Sequence, residues 1–164
     1  MTAASPPSEP DGWLLDITES EDGRSVVLWT KERGSGRVRR TAVEYRPPFL
    51  VTGTRNDLSL LARRLADHPD VESVRLGSGR PSLFERRNRP VLSVVPSRNP
   101  ARRALARTVD ALGGYERFSL YDVDLGPPQL YHMAHGLYPF APVVGRPPAL
   151  TATEPPETID YTAP

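Results

Sequence analysis

The stretch Phe49-Leu-Val-Thr-Gly-Thr-Arg-Asn-Asp-Leu-Ser-Leu-Leu-Ala-Arg-Arg-Leu-Ala-Asp67 changes its hydrophobic period part-way along. Its first four residues form a short run of strand-forming type, whereas Leu58, Leu61 and Leu65 recur at the spacing that lines one face of a helix. A strand that passes into a helix across a few polar residues is half of a βαβ unit. Asn56 or Asp57 is the expected cap, and the helix is expected to run through Asp67, where His68-Pro69-Asp70 stops it.

Working toward the carboxy terminus, residues 71–76 read as a strand, a Gly- and Arg-rich connection follows, and residues 91–95 read as another strand. Asn99 is the expected cap of a second helix, with Pro100 in its first turn, Ala104, Leu105, Val109 and Leu112 facing inward, and Gly113-Gly114 at its end. Residues 118–123 read as a last strand and residues 128–135 as a short closing helix. The order over residues 48–123 is β-α-β-β-α-β. That predicts an α+β, ferredoxin-like unit with an antiparallel sheet, both helices on one face and the other face left for a partner. The RNA-recognition variant of this fold stacks bases on aromatic residues of its central strands. Residues 71–76 and 91–95, read as those strands, carry none.

Working toward the amino terminus, residues 13–18 and 25–30 are apolar, β-prone runs joined through Asp22-Gly23, a strong hairpin signal. A third strand is expected over residues 37–45 after a turn at Ser35 and Gly36, with Val38, Thr41, Val43 and Tyr45 on its buried side. A small antiparallel meander therefore precedes the βαββαβ unit. Residues 1–11 and 141–164 are rich in Pro, Ala, Thr and Glu without periodicity, so they are expected to be a disordered tail and a Pro-rich linker or tail around one domain at 12–140. Pro147, Pro148, Pro155 and Pro156 suit a semi-extended spacer that leads into something further.

The 164 residues suit one domain. Their 21 basic and 20 acidic residues leave a net charge of +1, which excludes a global electrostatic drive toward nucleic acid or anionic membrane and leaves only local patches. Lys31 is the only lysine. The absence of cysteine excludes disulfides, thiolate zinc sites and a cysteine nucleophile, and no apolar run is long enough for a membrane span, so a soluble cytoplasmic protein is expected.

Several residues carry possible chemistry. Asp122 and Asp124 would share one face of a strand, but they precede Gly126-Pro127-Pro128 and are read as turn-forming acids, not metal ligands. His132 and His135 lack a third ligand and are read as helix-surface residues, as His68 is read as a helix-end residue. No Walker loop, G-x-S-x-G or G-x-G-x-x-G is present, so no catalytic residue, metal site or cofactor is expected. The connection between the third and fourth of the six βαββαβ elements differs in kind. Arg80, Phe84, Arg86, Arg87 and Arg89 converge there on one tip, where the cations can neutralise phosphates and the ring can stack or pack; a solvated loop is the alternative. Arg102, Arg103 and Arg107 are read as the polar face of the second helix.

Three segments also resemble a known family. Leu120-Tyr-Asp-Val-Asp-Leu-Gly-Pro-Pro-Gln-Leu-Tyr-His-Met-Ala-His-Gly-Leu-Tyr-Pro-Phe140 is similar to the stretch that closes the amino-terminal domain of archaeal-type family B DNA polymerases, through Asp124, Leu125, Tyr131, Gly136, Leu137 and Pro139. Tyr45-Arg-Pro-Pro-Phe-Leu-Val51 resembles that family's strand into the βαββαβ unit, and Trp13-Leu-Leu-Asp-Ile-Thr18 with Asp22-Gly23 its first hairpin. The resemblance covers residues 12–140. It implies a non-catalytic scaffolding domain of a replication or repair enzyme, one that contacts single-stranded template DNA beside the exonuclease and polymerase domains. Nucleotidyl transfer would then belong to parts beyond this chain, which on this resemblance stops before the family's exonuclease Asp-x-Glu motif. It further implies a template-uracil pocket at Pro48, Phe49, Arg98, Asn99 and Tyr131, with Phe49 in place of the family's tyrosine and Leu130 where many members carry arginine. The reading from a different class is a ferredoxin-like regulatory or protein-interaction module unrelated to DNA, which predicts dimerisation through an apolar sheet face.

Overall fold

A computed structural model describes residues 9–82 and 84–154, so residues 1–8 and 155–164, including Pro155 and Pro156 of the expected spacer, lie outside the described residues. The chain divides into two compact units, one built from residues up to Ser20, Val26–Val43 and Pro128 onward, the other from Glu21–Ser25 and Glu44–Pro127. Both sheets are antiparallel and the class is α+β.

The first unit holds a five-stranded sheet of β1 (Gly12–Glu19), β2 (Ser25–Glu32), β3 (Val38–Glu44), β8 (Pro142–Val144) and β9 (Thr151–Ala152), in the order β3-β2-β1-β8-β9. In β1 the register shifts between Leu14 and Asp16, and this bulge explains why two residues three apart, Leu14 and Ile17, are both buried. The expected meander is thus present, but it is larger than the sequence pattern indicated. Gly12 and Trp13 pair with Val143 and Pro142, and Asp11 is tied in by its N–H to the Val143 carbonyl at 2.8 Å. Residues 142–152, expected to belong to a tail, therefore form the second edge of this sheet. Val38 is a further correction: it is 51% exposed, because β3 is an edge strand with few neighbours. The helix α3 (Pro127–His135) agrees with its expected position to within a residue.

The second unit holds β4 (Phe49–Thr52), α1 (Arg55–Ala66), β5 (Val71–Gly79), β6 (Arg89–Pro96), α2 (Arg102–Leu112) and β7 (Ser119–Tyr121). Its sheet order, β5-β6-β4-β7, is that of the ferredoxin-like arrangement. The central strands are β6 and β4, so β5 is an edge strand and not the central one expected. Phe49 and Val51 pair opposite Val94 and Leu92, and together with Leu58, Leu61 and Leu65 of α1 and Leu105 and Val109 of α2 they form the core. The one aromatic residue of the central strands, Phe49, therefore faces the helices, away from where a base would stack.

Local chemistry explains the turns and caps. Asp22 accepts from the N–H groups of Arg24 and Ser25 at 2.7 and 3.1 Å, closing the hairpin tip. Gly23 is required there twice over: its φ is +66°, and a Cβ would lie 2.9 Å from the Pro100 ring. The cap of α1 is Thr54, not Asn56 or Asp57. Its hydroxyl accepts the Asp57 N–H and donates to the Asp57 carboxylate at 2.6 Å, so the acid serves as the third residue of a capping box. Asn99 does not cap α2 either. A 3-10 turn over Asn99–Ala101 precedes that helix, and the buried Asn99 side chain donates to the Tyr45 carbonyl at 3.1 Å.

The inward set of α2 is Arg102, Leu105, Ala106 and Val109, the i, i+3, i+4, i+7 pattern, while Ala104 is exposed. Arg102 thus leaves the polar face on which it was expected. It is 2% exposed, and its guanidinium donates to the carbonyls of Pro47, Pro48 and Asp122. Asp122 presents its carbonyl from a left-handed backbone, φ +63°, which also ends β7 two residues short of the expected Val123. Burial lowers the Arg102 pKa, opposed by the Asp122 carboxylate and Tyr45; a guanidinium nevertheless stays charged in proteins.

Arg102→Met keeps much of the side-chain volume but leaves these carbonyls without their donors. We expect it to cost about 3 kcal/mol of unfolding free energy in urea titration, with Arg102→Lys recovering less than half because an ammonium lacks the planar fork. A cost below about 1 kcal/mol would show that the carbonyls are satisfied without the guanidinium.

Candidate nucleic-acid interface

The β5–β6 ladder continues to Gly79 opposite Arg89, whereas β4 pairs with β6 only as far as Thr52 opposite Val91. The last two pairs, Ser78 with Pro90 and Gly79 with Arg89, have no β4 partner alongside, so a two-stranded ribbon runs past the four-stranded part of the sheet. Its connection is tightened by the Phe84 N–H on the Ser82 hydroxyl at 3.2 Å and the Glu85 N–H on the Ser82 carbonyl at 3.1 Å. Arg80, Arg86 and Arg87 are exposed, and Phe84 is 94% exposed. No ion pair among the described residues engages those three arginines. Arg89 is different: it is half-buried and bound to Glu85 at 2.8 Å.

This geometry brings Arg80, Phe84, Arg86 and Arg87 onto one short connection. Three uncompensated guanidiniums offer forked donors that match phosphate oxygens, beside a bare ring of the kind on which bases stack. Arg89, already neutralised, serves the ribbon.

The residues assigned to a template-base pocket fall in both units. Pro48 and Arg98 are exposed in the second unit. Phe49 is fully buried in that unit's core, and Asn99 is buried with its amide nitrogen on Tyr45 and its amide oxygen without a partner. Tyr131 belongs to the first unit and is 1% exposed, its ring stacked on His135 at 4.1 Å between centroids. Its hydroxyl points to the Pro148 carbonyl at 3.4 Å, and burial raises its pKa. Phe49 and Tyr131 are therefore interior residues, neither presenting a ring at the surface.

The acids and histidines have observed roles. Asp122 contributes its carbonyl to Arg102, Asp124 is exposed, and His132 places Nδ1 3.2 Å from the Leu137 carbonyl. Among the described residues no group of three His, Cys, Asp or Glu side chains is arranged to hold a metal ion. No helix among them is long and apolar enough to cross a membrane.

A second cationic region escaped the sequence reading. Residues 31–40, Lys-Glu-Arg-Gly-Ser-Gly-Arg-Val-Arg-Arg, carry five cations and one acid, a denser run than residues 80–89. They form the β2–β3 hairpin tip and border a groove of about 770 Å³ in the first unit. The signal was present as a charge run; it was passed over because the tip reads first as a turn.

The structure is similar to that of the family B DNA polymerase from the hyperthermophilic archaeon Pyrobaculum calidifontis, with a TM-score of 0.66 and 26% sequence identity over 82% of this chain. The chain spans 17% of the length of that polymerase. No protein-family model and no curated protein matches the sequence. The resemblance to the amino-terminal domain of archaeal-type family B polymerases, read first from three short segments, therefore holds in three dimensions as well.

The side chains of Phe84, Arg86 and Arg87 are exposed, and no ion pair among the described residues engages the two arginines. Phe84→Ser and the double substitution of Arg86 and Arg87 by alanine should each change unfolding free energy by less than about 0.5 kcal/mol, as measured by thermal or urea unfolding. A loss above about 1 kcal/mol would assign the tip to the fold instead of to a partner.

Proposed function

We propose that this chain is a non-catalytic, template-strand-binding and scaffolding domain of a family B DNA polymerase, acting beside exonuclease and polymerase domains that carry the chemistry. The observation that carries this reading is the likeness to the Pyrobaculum polymerase over 82% of the chain. The surface that supports it is the β5–β6 ribbon, whose Arg80, Arg86 and Arg87 lack ion-pair partners among the described residues and whose Phe84 ring is bare.

The physics of such a surface sets its behaviour. Phosphate neutralisation by a few guanidiniums is independent of sequence and falls with salt, because it is driven by release of condensed counterions. One aromatic residue adds stacking that tolerates any base. The net charge of +1 supplies no long-range attraction, so the contact is local and weak. A degenerate pocket for template uracil is a finer part of the same proposal. It would need Phe49 or Tyr131 to become accessible, since both are buried.

Titration of labelled single-stranded DNA with the chain, read by fluorescence anisotropy, should show binding at about 50 mM salt that weakens severalfold by about 200 mM. The R86A/R87A protein should bind more weakly at low salt and show a shallower salt dependence, by about 1.4 in the log–log slope for two lost phosphate contacts at about 0.7 each. Absence of binding by the wild-type chain at the lower salt would sink the reading.

A further inference from the structure

The groove of about 770 Å³ in the first unit is bordered by Lys31, Arg33 and Arg39 from the β2–β3 hairpin and by Arg146 from the β8–β9 connection. Two acids, Asp11 and Glu32, also line it, and both are already engaged. Asp11 accepts the Gly145 N–H at 2.9 Å. Glu32 accepts from Arg39 and from the Ser35 hydroxyl at 2.8 Å; its bond to Arg39, then that to Ser35, hold its carboxyl below the usual range. Among the described residues the Arg33 guanidinium pairs with Glu9 at 3.2 Å, an acid that is 87% exposed, so the pair is weakly held. Lys31 and Arg146 make no ion pair among the described residues.

The cations Lys31, Arg33, Arg39 and Arg146 outnumber the acids Asp11 and Glu32, so the lining is net positive, and Thr30 and Thr41 also line it. A space of this size is large enough for an extended polar ligand, far larger than one phosphate requires. Among the described residues no aromatic side chain lines it, so those walls give a base nothing to stack on and would hold a free nucleotide through its phosphates. The groove borders β3 through Arg39, and Arg37 just before that strand continues the run of cations, whereas Arg40, next to Arg39, faces the opposite side of the sheet, 6.0 Å over the Trp29 ring. A ligand with many regularly spaced phosphates gains from each of the groove-side cations in turn. A ligand with few does not.

We propose that this groove is a second, sequence-independent site for the phosphodiester backbone of single-stranded nucleic acid, with Lys31 and Arg146 as its principal contacts and Arg33 joining on release from Glu9. The site belongs to the first unit and the ribbon to the second, and the proposal does not depend on that ribbon binding DNA.

The test titrates the whole 164-residue chain with short labelled oligo-dT and compares wild type, K31E/R146E and R86A/R87A, with K31Q/R146Q as a milder variant and melting curves to verify folding. At about 50 mM salt K31E/R146E should bind roughly tenfold or more weakly, K31Q/R146Q should fall between it and wild type, and the log–log salt slope should flatten by about 1.4. Amide shifts on titration of the labelled chain should include Gly12, Gly34 and Gly145. Wild-type affinity in a folded K31E/R146E protein, or amide shifts that leave these glycines unmoved, overturns the groove. Inorganic tripolyphosphate displacing oligo-dT at equal molar concentration assigns the groove to small phosphate compounds and also overturns the proposal. Loss of binding only in R86A/R87A leaves the ribbon standing and the groove refuted, whereas loss only in K31E/R146E does the reverse.

Discussion

One buried guanidinium determines how the second unit closes. Arg102 reaches from α2 to the carbonyls of Pro47 and Pro48, just before β4, and to that of Asp122, just after β7. Pro47 and Pro48 precede β4 and lie outside its ladder, so their carbonyls need a donor from elsewhere. Burying a cation to supply it is costly, as the lowered pKa of Arg102 reflects. The cost is offset only because carbonyls converge on the fork from two chain segments some 75 residues apart in sequence, as Pro47 and Asp122 show. The result fixes β4 against β7 and with it the order of the sheet. Asn99, one turn earlier, does a similar service with its amide on the Tyr45 carbonyl.

Both units place their densest uncompensated cations on hairpin tips. The physical reason is shared. A strand interior alternates between a covered face and an exposed one, and charges opposite each other across strands must be paired or repel. A tip is solvated on every side, so guanidiniums collect there without desolvation and without disturbing a core. A chain with a net charge of +1 can in this way carry two strongly basic surfaces, provided that its acids are spent elsewhere. They are: Glu44 and Glu72 hold Arg46, and Asp22 and Asp57 serve turns and caps.

What the sequence made legible follows the range of the interactions involved. The periods of residues 49–67, the Asp22-Gly23 tip and the Gly113-Gly114 helix end are local, and the βαββαβ order came directly from them. Gly113 shows how a local signal can hide a distant one, since a Cβ there would lie 2.5 Å from the Phe118 ring. The misreadings are of residues whose partners are remote. Asn99 looks like a cap until Tyr45 is beside it, and Arg102 looks like a solvated charge until three carbonyls surround it. Residues 142–152 look like a tail because strands of three and two residues have no period to read. Of the candidate site, the exposure of Arg80, Phe84, Arg86 and Arg87 was legible from their place in a connection, while the pairing of Arg89 with Glu85 was not.

On the proposed reading, weak contact with a strand is what the domain's situation calls for. A domain held in one polypeptide with a polymerase meets the template at an effective concentration set by the tether, so a site of low intrinsic affinity stays occupied while the strand is engaged elsewhere. A tight, sequence-selective grip would oppose movement of the template past it. Guanidiniums on mobile side chains at hairpin tips bind backbone without reading bases, and each contact exchanges quickly with the next phosphate along. The fold and the function then make one demand of the sequence. The cations that act must be exposed and unpaired, and the cation that is buried must be fully satisfied, as Arg102 is.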